Sequence, residues 1–191
     1  REDNEVLAGN PELAPEKSWD CEICAEHRLS NGAGVLNGRV FYRRVNDVKD
    51  LVSFGLVSSQ PGNLGSGNHY GAEAKASIRF GRFTDVDAVV NASVLVQDSE
   101  VLDPFTGVSR RFANQPEYDL HLDARHDVQS LGLSYGFDLN KNGPAIESDF
   151  NEFDDKSTTL DARIFMEKTI TQGTILRLFW ANFLQIKNLR T

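Results

Sequence analysis

Only a few residues in this chain have the type and spacing that chemistry needs. Cys21 and Cys24, in "SWDCEICAEHRL", are separated as in a thiol redox pair or half of a zinc site. A zinc knuckle needs a second pair of ligands, and the sequence offers no other cysteine and only four scattered histidines. His121 stands in a row with Asp119, Asp123 and Arg125, a set that could hold a cation but reads more simply as a solvated face. Among so many polar positions, no Ser/His/Asp or paired-carboxylate arrangement stands out. The residues point to a protein that is not an enzyme and carries no cofactor or metal.

The elements that position these side chains explain why they lead to no site. In "HYGAEAKASIRF", Tyr70, Ala72, Ala74, Ala76, Ile78 and Phe80 alternate with Glu73, Lys75, Ser77 and Arg79. Successive strand side chains point to opposite faces, so this is a strand with one apolar and one polar face. The cysteines, three apart on such a strand, fall on opposite faces. Similar alternation predicts strands at 18–29, 35–45, 69–80, 86–97, 117–127, 130–140, 158–168 and 174–184, and no helical period competes. The last of them, "TILRLFWANFL", is apolar on both faces near its end and leaves its register open.

Two settings produce this pattern: an antiparallel sheet wet on its back, or a membrane barrel greasy outside and wet within. The connections favour the barrel. Tight links ("SNGAG", "GRFTD", "DVQ", "TITQG") alternate with long ones, residues 46–68, 98–116 and 141–157, rich in Gly, Pro, Asn, Asp and Ser. Short turns at one rim and long loops at the other mark an outer-membrane barrel. Tyr70 and Phe80 bracket their apolar row, and Trp19, Tyr42, Tyr118, Tyr135 and Phe137 lie near strand ends, where an aromatic girdle belongs. Small residues such as Ala72, Ala74, Ala76, Ala88, Ala92, Ala124 and Ala162 would fill a two-sheet core poorly, whereas facing lipid they need fill nothing. Glu73, Lys75, Arg79, Asp119, Asp123, Arg125, Asp161 and Arg163 are then expected to face a wet lumen, pairing with each other or with whatever plugs it. The net charge of −8 argues against a nucleic-acid partner, and no apolar run approaches the roughly 18 residues of a membrane helix.

Several segments carry a resemblance. "GNPELAPEKSW", with Asn10, Pro11, Pro15 and Glu16, resembles the Asn-Pro-x-Leu-x-Pro-Glu segment that opens a strand in TonB-dependent outer-membrane receptors. "GRVFYRRVNDVKDLV" is similar to that family's next strand. "GNLGSGNHYGAEAKASIRF" resembles its Tyr-Gly-x-Glu strand, with Gly71 and Glu73 at the matching places. "RRFANQPEYDLHLDARHD" and "STTLDARIFMEK...TILRLFWANFL" resemble a later loop and a late hairpin, the latter ending on Asn182. Cys21, Cys24 and Gln185 depart from the family's habits.

The resemblance implies a barrel of about 22 strands with a plugged lumen, of which residues 1–191 supply about eight as part of the barrel domain, without the plug or the closing strands. It further implies a location in the bacterial outer membrane, in contact with its lipid. TonB-driven uptake of a scarce nutrient, a ferric siderophore or similar small-molecule chelate, would follow, with the family's own plug and TonB as partners and the long loops capturing ligand. A passive porin, another outer-membrane barrel such as a lipase, and a soluble antiparallel binding module are the alternatives. Since backbone in hydrocarbon must be paired, a piece of so wide a barrel is expected to be a curved open sheet, to aggregate, or to close into a smaller strained barrel.

Overall fold

The computed structural model describes residues 6–7, 9–53, 58–104, 107–149, 152–156 and 158–181. In chain order its strands are β1 (Val6–Leu7), β2 (Lys17–Arg28), β3 (Gly34–Asn46), β4 (Lys49–Ser53), β5 (Ser58–Asn63), β6 (Gly67–Arg79), β7 (Ala88–Leu102), β8 (Ser109–Arg110), β9 (Tyr118–Val128), β10 (Leu133–Asn142), β11 (Ala145–Asp149), β12 (Glu152–Lys156), β13 (Thr159–Thr171) and β14 (Thr174–Ala181). The long strands form one antiparallel sheet in the order β14-β13-β10-β9-β7-β6-β3-β2, each next to its neighbour in sequence, with β8 paired to the end of β7. It is an up-and-down meander, and among the described residues its edge strands β2 and β14 are not paired with one another. The fold is therefore all-β and open, as expected of an incomplete barrel wall.

Register sorts the side chains into two faces. Directly opposed residues share a face, so the row Asn37, Lys75, Ser93, His121, Asn140, Asp161 runs across six strands on one side. The row Val40, Ala72, Val96, Tyr118 runs on the other. Ala74, Val90, Leu122 and Ile164 all lie on this apolar face, where Ile23, Val40 and Val96 are more than half exposed. Among the described residues no second layer covers them, so they do not form the two-sheet core of a soluble module. Ala162 alone among the small residues singled out is fully buried.

The turns explain the rims. Ser30–Gly32, Phe80–Arg82 and Gln129–Leu131 are single 3-10 turns, and β13 passes to β14 through Gln172 and Gly173. Gly173 has φ 93° and Gly132 has φ 56°, left-handed conformations that glycine adopts without strain. Because Gln129–Leu131 coils, β10 starts at Leu133 and not at residue 130. Pairing fixes the register of β14, with Glu167 opposite Arg177 and Ile164 opposite Trp180; residues 182–184 lie outside the described residues.

The long connections are the main departure from the sequence reading, which gave them no strands. β7 continues to Leu102, β4 pairs with β5, β1 joins β5 in parallel, and β11 pairs with β12. For β4, β5 and the end of β7 the cause is a small core at this rim: Val45, Val48, Val52, Leu64 and Val101 are buried together, with Phe112 packed against them. These apolar residues are too widely spaced in sequence to read as strands. They stabilise the long-loop rim by meeting across it.

Candidate functional site: the polar face and the long-loop rim

The polar face is a connected lattice of ion pairs and hydrogen bonds. On β3 and β6, Arg39 contacts Glu73 at 3.2 Å and Glu22 of β2 at 3.5 Å, and Lys75 contacts Glu73 at 2.9 Å. Arg43 pairs with Asp20. On β9, His121 lies 2.7 Å from Asn140 Oδ1 and 3.0 Å from Asp123, which also accepts from Asn91 at 2.9 Å. Arg125 pairs with Asp127 at 3.0 Å and Glu167 at 3.5 Å, and Glu167 also holds Arg177 at 2.7 Å.

All eight residues expected in the lumen share this face. The network differs from a simple pairing among them. Only Glu73 and Lys75 pair with each other, while Arg125 turns to Asp127 and Glu167, and Asp123 is held by Asn91 and His121. Arg79, Asp119, Asp161 and Arg163 make no ion pair among the described residues. Arg79 lines a concavity of about 470 Å³ at the short-turn rim, with Arg28, Glu26 and Asn37.

Two phenylalanines on this face each sit over a glycine. Phe41 opposes Gly71, and Phe165 opposes Gly136. A Cβ on Gly71 would meet the Phe41 ring at 2.8 Å, and one on Gly136 the Phe165 ring at 2.7 Å. Arg39 covers Phe41 at 5.1 Å and Arg125 covers Phe165 at 5.8 Å, so each ring is held between a glycine and a guanidinium. Alternation alone marks these rings as misplaced; only the register shows what holds them.

The thiols are free and exposed, with Cys21 on the apolar face beside Tyr42 and Cys24 on the polar face beside Arg39, so they form neither a redox pair nor a shared site. Among the described residues no three His, Cys, Asp or Glu side chains are grouped to hold a metal.

At the long-loop rim three charged side chains are buried together. Arg110 of β8 contacts Asp50 of β4 at 2.7 Å and Asp103 at 3.2 Å, and each of the three side chains is less than a tenth exposed. Beside them Ser99 Oγ accepts from the Phe112 N–H at 2.9 Å. His69 lies edge-on to Phe41 at 4.9 Å, with Gln97 and Gln115 on its Nε2. Sequence reasoning missed this cluster, since Arg110, Asp50 and Asp103 come from two separate loops. The lead-in segment is tied to the same rim. Asn10 Nδ2 donates to the Pro61 carbonyl at 2.9 Å, Glu16 accepts from the Lys49 N–H at 2.6 Å, and Ala14, just before Pro15, is bound on both sides by Asn63. Pro11 forms the turn that follows Asn10. Asn182 lies outside the described residues.

An uncovered apolar face, a charged opposite face, tight turns at one rim and built loops at the other define the wall of an outer-membrane-type β-barrel. The TonB dependent receptor-like, beta-barrel model matches residues 2–182, and the chain belongs to that family. Among solved structures it is similar to a mutant of the ferric enterobactin receptor of Pseudomonas aeruginosa, at 16% identity and a TM-score of 0.57 over 87% of this chain. The chain spans 25% of that receptor's length, and the likeness is one of fold. No curated protein matches.

Proposed function

We propose that this chain is part of the barrel wall of an outer-membrane receptor that takes up a ferric siderophore or similar chelate with energy supplied through TonB. The observation that carries the reading is the two-faced sheet itself, apolar and uncovered on one side and laced with ion pairs on the other, in a chain of the TonB-dependent receptor family. In this reading the apolar face meets lipid, and a charge placed at its middle would cost about 2 to 4 kcal/mol. The polar face meets the plug, a domain outside this stretch of the barrel. Arg79, Asp119, Asp161 and Arg163 are then the groups with donors and acceptors to spare for it. The long-loop rim faces the cell exterior and captures ligand. Its chemistry is binding and passage, not bond making.

The test is uptake. The full-length receptor is expressed in a host stripped of its own siderophore receptors, with and without TonB, and radiolabelled iron is supplied on a panel of chelates. Uptake of at least one chelate that vanishes without TonB is the expected result. Uptake that persists without TonB would indicate a passive pore, and an absence of both binding and uptake across the panel would overturn the reading.

A further inference from the structure

The open edge of the sheet carries a third phenylalanine on the polar face. Phe179 of β14 stands directly opposite Phe165 and, at 77% exposed, is the most exposed large apolar residue among the described ones. Like Phe41 and Phe165 it follows an arginine by two residues, the three being Arg39, Arg163 and Arg177. Phe41 lies over Gly71 and Phe165 over Gly136, so each of these rings leans onto one neighbouring strand and away from the other.

Strand direction sets the side. Alternate strands of this meander run the same way, so β3 and β14 share a direction and β13 is reversed. Phe41 on β3 leans to β6, on the β14 side of the sheet, whereas Phe165 on β13 leans to β10, on the β2 side. A half turn about the sheet normal exchanges both the strand directions and the two sides, so the rings lean identically relative to their own strands. On β14 the same lean carries the Phe179 ring off the edge, away from β13. Its exposure agrees.

The pairing type agrees as well. In an antiparallel ladder a residue that exchanges hydrogen bonds with one neighbouring strand turns none to the other. Phe179 therefore meets a strand beyond β14 in the same kind of pair in which Phe165 meets Gly136. Backbone in hydrocarbon must be paired, so in the closed barrel the strand that follows covers this edge. It has no room for a side chain under the ring, since a Cβ on Gly71 or Gly136 would come within 2.8 Å of the ring above it. We propose that the strand closing the β14 edge presents a glycine directly opposite Phe179, and that the ring seats on it as a third clasp, joining this stretch of wall to the next. The inference depends on the barrel being closed, not on what the receptor takes up.

The experiment places p-benzoylphenylalanine at position 179 of the full-length receptor, irradiates outer membranes that contain it, and maps the cross-linked peptides by mass spectrometry. The same analogue at position 165 calibrates the method and should mark Gly136. At position 179 the cross-link is expected on a glycine of the strand that follows β14. Capture of a plug peptide, capture of another residue type in the next strand, or capture of nothing while position 165 marks Gly136 overturns the proposal and leaves the barrel intact. The smaller p-azidophenylalanine serves if the benzophenone prevents assembly. Phe179→Ala should also lower the urea midpoint of the lipid-reconstituted receptor about as much as Phe41→Ala does, and an unchanged midpoint overturns the clasp. A receptor that stays in solution without detergent and marks no neighbouring strand overturns the barrel itself.

Discussion

Arg110 offers the sharpest test of the loop rim. Arg110→Met removes the cation that Asp50 and Asp103 share, each carboxylate being under a tenth exposed. Breaking a buried ion pair on one side costs about 3 to 5 kcal/mol, most of it the penalty of an uncompensated charge. At about 1.4 kcal/mol per decade, local opening of the β4–β5 unit should become roughly two to three and a half decades more frequent. Hydrogen exchange in the full-length receptor reads this directly, at the Val48 amide bonded to Gly65 and the Leu64 amide bonded to Val48. Both should lose protection by at least a hundred-fold, while amides in the middle of β6 keep theirs. Adding Asp50→Asn and Asp103→Asn to Arg110→Met should recover part of the protection, because near-isosteric amides remove the buried charges without changing the volume. Unchanged exchange in Arg110→Met would refute the view that this triad holds the two loops together.

Two further outcomes follow from the sheet. Gly136→Ala should lower the barrel's stability by about 1 to 3 kcal/mol, read as a lower midpoint in urea titration of the lipid-reconstituted receptor, because a Cβ there would lie 2.1 Å from the Ala124 carbonyl oxygen. Adding Phe165→Ala should not rescue it, since backbone and not the ring sets the closest contact. Ala74→Arg on the apolar face should cost about 2 to 4 kcal/mol in the same assay, whereas Asn91→Arg on the polar face, opposite Asp123, should be nearly neutral. Equal effects of the two arginines would mean that the faces have been assigned wrongly.

Much of the wall was legible because a strand's period is simple and its neighbours in sequence are its neighbours in space. Tyr70 through Arg79 predict their own two faces, and the short turns predict antiparallel pairing. The rim was not legible, for the opposite reason. Val48, Leu64 and Val101 share a core, and Arg110 meets Asp50, across separations at which no periodicity survives. The last strand shows the boundary between these regimes: "TILRLF" is apolar on both faces, so only the pairing of Arg177 with Glu167 fixes its register. Phe41 and Phe165 broke the polar row, and the partner that explains each is one strand away. Family motif positions such as Asn10 and Glu16 were readable as a pattern, but their physical work, tying the lead-in segment to Pro61 and Lys49, emerges only in three dimensions.

The stacked pairs Phe41–Gly71 and Phe165–Gly136 have a consequence for how such a wall can diverge. A side chain on either glycine collides with a ring and with backbone, and loss of either ring uncovers a bare stretch of strand. The dependence runs one way: each ring needs its glycine, whereas each glycine is also held by a backbone carbonyl of the next strand, Val96 O for Gly71 and Ala124 O for Gly136. Among descendants of one ancestral barrel the ring can be lost while the glycine stays, but a ring should not occur without its glycine, and their joint presence in a distant sequence would by itself fix how those two strands align.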